Sequence, residues 1–305
     1  MHDIIVVGGG PAGMTAALYA RRNGRSALVI EKGTFGGQIT HSPKVENYPG
    51  TMQMSGNEFA DRMLEQILAQ GAEIELATVT GIEPEENGWR VLTEDGTAFQ
   101  GRSVILATGV RHRMLGVPGE AELVGEGVSF CAVCDGDFYA GQDVCVAGGG
   151  NSALQEALLL ADKCRQVTVL QDLPELTGEE QLQKLLRARD NVKIVTGVRI
   201  KALAQENGAL KAVETEETAT GRAVRFPCDG LFVAIGLIPE NGPFAQLARL
   251  NPAGYFDSDE NCLTVTPGVF AAGDCRSKSV RQLATAIADG ATAALAACRW
   301  LQGQA

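Results

Sequence analysis

The chain is 305 residues long and 45% hydrophobic, with 26 basic and 37 acidic residues for a formal net charge of -11. That length predicts two domains of roughly 100–200 residues, and the acidic balance argues against nucleic acid as a partner, since phosphate binding needs a basic face. No charged-then-apolar leader opens the chain, and the longest apolar region, 291–301, is interrupted by Arg299 and falls short of a membrane span, so a cytoplasmic protein with no membrane partner is expected.

The first forty residues carry a strong pattern. Asp3 to Val7 is a continuous apolar strand, as expected for a parallel sheet buried on both faces. Gly8-Gly9-Gly10-Pro11-Ala12-Gly13 follows, and Met14 to Arg22 reads as an alanine-rich helix. Gly8 permits the tight turn, Gly10 lets the backbone approach a pyrophosphate, and Gly13 allows close helix–strand packing. The helix N-terminus offers free N–H groups to the phosphates. A second strand, Ala27 to Ile30, ends in Glu31, twenty-three residues after Gly8, where a carboxylate can accept hydrogen bonds from a ribose diol. Strand, turn, helix, strand and acidic end in register predict a dinucleotide-binding unit.

Further along, Val104 to Leu106 is a returning strand that ends in Ala107-Thr108-Gly109. Then comes Ser129-Phe130-Cys131-Ala132-Val133-Cys134-Asp135-Gly136. Two cysteines separated by two residues can close and reopen a small disulfide ring, which makes a redox switch when one thiol is held partly as thiolate. Zinc would need a second pair at matching spacing. The other six cysteines are scattered singly, so no metal is expected and those six read as small buried hydrophobes.

A dozen residues on, the dinucleotide unit recurs. Val144 to Ala147 is a strand, Gly148-Gly149-Gly150-Asn151-Ser152-Ala153 the turn, and Leu154 to Ala161 the helix. The next strand, Gln166 to Leu170, leads to Gln171, again twenty-three residues after the first glycine, with Asp172 beside it. Two such units suggest two nucleotides, a held flavin and an exchanging electron donor. A degenerate second copy that binds nothing is the alternative. Gly230 to Gly236 and Gly268 to Gly273 read as returning strands, the latter ending in Asp274. Arg281-Gln282-Leu283 opens an alanine-rich helix running to about Leu301.

Gly8–Gly13, Gly36-Gly37-Gln38, Val45-Glu46-Asn47-Tyr48-Pro49-Gly50, Ala107-Thr108-Gly109, Cys131–Gly136, Gly148–Ala153 and Gly273-Asp274 with Arg281-Gln282 together resemble the low-molecular-weight, bacterial-type thioredoxin reductase family over nearly the whole chain. The resemblance implies an α/β fold of two Rossmann-like three-layer domains, the second inserted in the first. Residues 1–112 and 240–305 would hold FAD, and 113–239 would form a pyridine-nucleotide domain carrying the dithiol. It further implies that the stretch from Glu31 and Lys32 to Gln38, with Asn47 and Val79, lines the FAD groove. Asp274 would bind the ribityl or pyrophosphate part, and Arg281 and Gln282 would bring backbone N–H groups to the flavin's N1–C2=O side, where the reduced ring is anionic. In the family the second cysteine, here Cys134, faces the flavin and Cys131 attacks thioredoxin. Asp135 would handle the thiol proton; taken alone it also reads as a turn residue before Gly136. Rotation of one domain about linkers near Arg113–Pro118 and Gly236–Gly242 would alternate the dithiol between flavin and partner. A homodimer is also implied.

One stretch departs from the family. NADPH-using members carry a His-Arg-Arg run just after the strand that ends here at Leu170, and that run grips the 2′-phosphate. Here residues 171–180 contain no basic residue and four carboxylates. A carboxylate repels a 2′-phosphate, whereas Asp172 can accept from a ribose 2′-hydroxyl. The expected function is therefore an FAD-dependent disulfide reductase that favours NADH over NADPH and passes electrons through Cys131–Cys134 to thioredoxin or a close relative. The rivals are a reductase fed by ferredoxin without a nicotinamide site, a peroxiredoxin-reductase component, a small-molecule dithiol oxidase, and a flavin-binding scaffold for which the cysteine pair has no use.

Overall fold

The structure, a computed structural model, describes residues 1–42 and 44–303; residues 304–305, the end of the expected C-terminal segment, lie outside the described residues. The chain divides into two compact units, Met1–Arg111 with Ile238–Ala305, and His112–Leu237. The α/β class and the parallel-sheet architecture are as the sequence predicts.

In the first unit, β1 (His2–Val7), α1 (Pro11–Arg22) and β2 (Ala27–Glu31) form the opening βαβ unit. They are followed by α2 (Gly56–Ala69), β3 (Glu73–Leu76), β4 (Val79–Glu85), β5 (Gly88–Thr93) and β6 (Ala98–Leu106). Ile4, Ile5 and Val6 are fully buried because the parallel sheet is covered on both faces. The sheet runs β3-β2-β1-β6-β5-β4. Along β6, Ser103–Leu106 run parallel to β1, while Ala98–Gly101 pair antiparallel with β5. The antiparallel β4 and β5 had no counterpart in the sequence reading. Their pattern is short and mixed, and only the partner strand decides it. Ser55 caps α2, its hydroxyl accepting from Glu58 N–H at 3.0 Å.

The chain leaves the first unit at β7 (Arg111–His112). The second unit contains α3 (Glu120–Leu123), β8 (Val128–Ser129), α4 (Ala132–Asp135), β9 (Asp143–Ala147), α5 (Asn151–Ala161), β10 (Gln166–Gln171), α6 (Glu180–Arg187) and β11 (Val192–Thr196). An antiparallel sheet of β12 (Val198–Glu206), β13 (Ala209–Glu217) and β14 (Ala223–Pro227) follows, then β15 (Gly230–Val233) and β16 (Leu237–Ile238), which pairs with β7. The main sheet, β11-β10-β9-β15-β8, is parallel throughout. It is filled from both faces by two apolar clusters whose members all lie within this unit.

Back in the first unit, β17 (Val269–Ala271) pairs parallel with β6, and α7 (Leu283–Gly303) packs against α1. The α1–α7 contact is close because small residues meet there: a Cβ on Gly290 would lie 2.2 Å from the Ala12 carbonyl oxygen. Helix α7 starts two residues later than the sequence suggests. Among the described residues no helix is long and apolar enough to cross a membrane.

Candidate active site

In the first unit the glycine turn after β1 is built as its sequence requires. Gly8 has a φ of +110°, and a side chain there would meet the Ala107 carbonyl oxygen at 2.3 Å. A Cβ on Gly13 would fall 1.9 Å from the Gly8 carbonyl oxygen, so glycine alone lets α1 approach β1 this closely. Gly10 is the N-cap of α1, Pro11 is its first residue, and no side chain caps this end. A Cβ on Gly10 would meet only the Gly36 carbonyl oxygen, at 3.9 Å, so the backbone in front of α1 is open to a pyrophosphate. Glu31 accepts from Gly9 N–H at 2.6 Å and from Gly33 N–H at 2.8 Å. Each of its oxygens keeps lone-pair capacity for a ribose hydroxyl.

Other predicted residues gather in the same unit. Asn47 donates to the Gln282 side-chain oxygen at 3.3 Å, across 235 residues of sequence. Thr108 donates to Asn241 Oδ1 at 2.7 Å, Gly109 follows with a φ of +65°, and Val79 packs on the buried cluster behind the sheet. Gly36 and Gly37 also take positive φ, turning the chain into a 3-10 segment that presents Gln38 to solvent. Lys32, also exposed, is ion-paired with Glu240. Arg281 stacks on Tyr255 at 4.1 Å and donates to the Asp274 carbonyl oxygen at 3.3 Å, which fixes the chain just before α7. Gln282 N–H is held by Thr285 Oγ1 at 3.1 Å, and Leu283 is the first residue of α7.

Asp274 sits beyond β17 in a 3-10 turn. Burial pushes its carboxyl above the usual range, against the pull of Lys278 and Arg281. Lys278 Nζ is ion-paired with Oδ1 at 3.1 Å, and among the described residues that buried oxygen accepts no other contact. A sugar or ribityl hydroxyl is the donor such an acceptor fits. Together with the open turn at Gly10, this makes the residues fit an FAD.

Three residues behind Asp274 escaped the sequence reading. Asp289 takes Arg276 on both oxygens, at 2.8 and 3.0 Å, and also accepts from Gly273 N–H and Lys278 Nζ, each at 3.1 Å. Burial would raise the Asp289 carboxyl, but the Arg276 hydrogen bonds and the Lys278 charge outweigh it and hold it low. Asn241 was also missed. It is fully buried, donating to the carbonyl oxygens of Gly254 and Cys275 at 2.9 Å while accepting from Thr108. Its Pro- and Gly-rich surroundings read as a linker, which hides its burial.

In the second unit Cys131 and Cys134 form a disulfide, with Cα atoms 5.3 Å apart. Cys134 N–H donates to Cys131 Sγ at 3.2 Å. Ser129, at the end of β8, accepts from Cys131 N–H at 3.1 Å and donates its hydroxyl to Asp135 Oδ2 at 2.6 Å. Burial raises the Asp135 carboxyl although the Ser129 bond opposes it, and Oδ1 is buried without a hydrogen-bond partner among the described residues. The role of Ser129 was not read from the sequence; nothing local marks a serine six residues before an aspartate. The other six cysteines are all buried and unpaired. Burial raises the Cys164 thiol to about 11 and Cys262 to about 12, so neither is a thiolate at neutral pH.

The second glycine turn repeats the geometry of the first. Gly148 has a φ of +123°, and its Cβ would lie 2.5 Å from the Ala234 carbonyl oxygen. Gly150 is the N-cap of α5, which begins at Asn151 and Ser152. Gln171 is buried with its amide against Gly149, while Asp172 is exposed and makes no hydrogen bond among the described residues. The following segment folds back over the turn. Thr177 and Gly178 N–H both donate to the Gly149 carbonyl oxygen, at 2.8 and 2.9 Å. Asn151 binds Glu179 twice, accepting from its N–H at 2.7 Å and donating to Oε1 at 2.9 Å. Lys163 is paired with Asp137 at 2.6 Å, and Arg165 is bidentate to Asp143 at 2.8 Å on each arm.

The chain is similar over nearly its whole length to known proteins. The family model described as pyridine nucleotide-disulphide oxidoreductase matches residues 2–290. A thioredoxin reductase of Bacillus subtilis is 39% identical over 296 residues, covering 96% of this chain and 93% of its own. One from Listeria innocua is 36% identical, covering 99% and 94%. The crystal structure of thioredoxin reductase from Streptococcus pyogenes superposes with a TM-score of 0.94 at 38% identity, covering 99% of both chains.

Proposed function

Because the chain belongs to the pyridine nucleotide-disulphide oxidoreductase family and is a flavoprotein disulfide reductase of the thioredoxin-reductase type, we propose that it carries electrons from a nicotinamide donor, NADH in preference to NADPH, to thioredoxin or a thioredoxin-like protein. The first unit is the FAD-binding domain in this reading, and the second carries the donor site and the exchanging disulfide. FAD supplies the two-electron relay between donor and disulfide. A cytoplasmic location and a homodimer belong to the same proposal and rest on family resemblance.

The observation that carries the reading is the Cys131–Cys134 disulfide with Asp135 half-buried beside it. Once the ring is reduced, Cys134 N–H is already aimed at Cys131 Sγ and stabilises a thiolate there. Cys131 is therefore the attacking thiol. Cys134 closes the ring again and releases the partner as a dithiol. Asp135, its carboxyl raised by burial and steadied by Ser129, takes and returns the thiol proton.

The preference for NADH is supported by the segment 171–180. Four carboxylates and no basic residue lie there, and of the cations flanking it in sequence Lys163, Arg165 and Lys184 are already paired with Asp137, Asp143 and Glu180, while Arg187 lines a cavity with Glu175. A missing bidentate arginine–phosphate contact is worth about 1.5–3 kcal/mol, or roughly a ten- to hundred-fold preference. A second reading, delivery by reduced ferredoxin without any nicotinamide, is favoured by one feature: the Asn151–Glu179 clasp sets a carboxylate beside the first residue of α5, where a pyrophosphate would dock. Thioredoxin-coupled turnover with NADH, NADPH and reduced ferredoxin, measured side by side, tests both. We expect kcat/KM to be highest with NADH. A clear NADPH preference overturns the donor reading, and turnover with ferredoxin alone favours the second.

A further inference from the structure

Asp289 lies on α7, yet its side chain reaches the turn that carries Asp274. Four donors converge on its carboxylate. Arg276 Nε and Nη2 take the two oxygens at 2.8 and 3.0 Å, and Gly273 N–H and Lys278 Nζ join them on Oδ2 at 3.1 Å each. Lys278 Nζ is also ion-paired with Asp274 Oδ1 at 3.1 Å, so one ammonium bridges the two carboxylates. Arg276 and Asp289 are each only 8% exposed. Gathering such charges in an interior adds little stability, because apolar residues of similar volume do as well or better there. A single arginine already satisfies a carboxylate bidentately. The two further contacts both lead to Gly273-Asp274.

We propose that Asp289 is a positioning residue for the cofactor: through Gly273 N–H and Lys278 it fixes the Asp274 carboxylate where a ribityl hydroxyl can donate to it. The inference rests on the reading of the first unit as the FAD-binding domain. The backbone tie places the turn. Gly273 has a φ of +83°, and a Cβ there would lie 2.7 Å from Ala12 Cβ, on the second residue of α1. Gly290, next to Asp289, is the residue that lets α7 meet the Ala12 carbonyl oxygen. Residues 289 and 290 therefore set Gly273-Asp274 against the start of α1, beside the open turn at Gly10.

The side-chain tie sets the charge. Burial raises the Asp274 carboxyl and Lys278 draws it down, so losing Lys278 favours the neutral acid, a weaker acceptor than the carboxylate. Losing the Asp289 charge does the opposite harm. An amide has one oxygen and two N–H groups of its own, so it cannot take all four donors. Lys278 is then released to close fully on Asp274 Oδ1, the oxygen the ligand hydroxyl needs, and Gly273 N–H loses its anchor.

The test is the dissociation constant of FAD and, by competition, of ADP for the deflavinated full-length chain. ADP brings a ribose diol to Glu31 and a pyrophosphate to the Gly10 turn, but it has no ribityl chain to reach Asp274. Asp289→Asn should weaken FAD about ten- to hundred-fold, the value of one charge-assisted hydrogen bond, and leave ADP within about twofold of wild type. Lys278→Met cuts the same tie from its other end, keeps the Arg276–Asp289 pair and the Gly273 bond, and should show the same split. A merely structural ion pair would loosen both ligands alike. Equal losses for FAD and ADP, or variants that bind FAD as wild type does, overturn the inference and leave the reading of the first unit standing. A wild-type chain that takes up no FAD overturns that reading and the inference with it. Should Asp289→Asn not fold, Lys278→Met decides by the same criteria.

Discussion

Removing one sulfur from the Cys131–Cys134 pair prevents the ring from closing, while nothing in the glycine turn after β1 or at Asp274 depends on that sulfur. Cys134→Ser should therefore abolish thioredoxin reduction, with FAD still bound at about one per chain. Absorbance of the purified variant and a coupled assay check both halves, and near-normal turnover would show that the electrons leave by another route. Asp135 makes a second test. Positioned proton transfer contributes about 10²–10⁴-fold, so Asp135→Asn should lower kcat by at least about 10²-fold without loss of flavin. The sign of its effect on stability is also determined. Burial raises the folded value above the ordinary 3.8, so the fold favours the neutral carboxyl. Its stabilising contribution is complete below 3.8 and is lost as pH rises through the raised value. Thermal melts should show Asp135→Asn gaining on wild type as pH rises through that window, and a gain on acidification instead would contradict the burial argument.

Among the elements, the opening βαβ unit depends on how closely α1 can approach the sheet. Gly13 allows that approach, and any side chain there collides with backbone at 1.9 Å, which no rotamer relieves. Gly13→Ala should push α1 outward, lose about 1–3 kcal/mol of stability as overpacked sites do, and yield protein with little bound flavin. The contrast is Gly24, in the turn after α1, where a Cβ would meet nothing within 4 Å but φ is +74°. Gly24→Ala should cost only the strain of a left-handed residue, about 1 kcal/mol, and keep its flavin. Equal flavin content in the two purified variants would remove the argument that close helix–strand packing builds this cofactor turn.

For the whole molecule, the separateness of the two apolar interiors of His112–Leu237 is what matters. Every member of both clusters lies between Leu115 and Ile235, so nothing outside the unit is needed to bury them. Residues 112–237 produced alone should be soluble, carry the cysteine pair, and unfold in one cooperative transition. A fragment that melts without cooperativity would show that the unit borrows stability from the rest of the chain. The first unit is assembled from both ends of the sequence, with β17 closing on β6 and α7 on α1. A chain truncated before β17 should therefore lose its flavin, even though the whole first glycine turn is present.

What was legible in the sequence was local. Gly8, Gly13 and Gly148 are forced by a turn or a close approach, the buried strands announce themselves as apolar runs, and a Cys-x-x-Cys spacing implies a ring that can close. Each of these depends on residues a few positions apart, so the order of residues alone decides it. The partners of the functional carboxylates did not show themselves in that way. Ser129 against Asp135, Arg276 and Lys278 against Asp289, and Thr108 against a buried Asn241 are brought together by strand order and helix packing. The same side chains in another topology would be ordinary surface polar groups. Burial, which raises Asp135 and Asp274 above their usual range, is a property of the assembled sheet and its covering helices, and so only the tertiary structure could decide which of the chain's carboxylates are shifted.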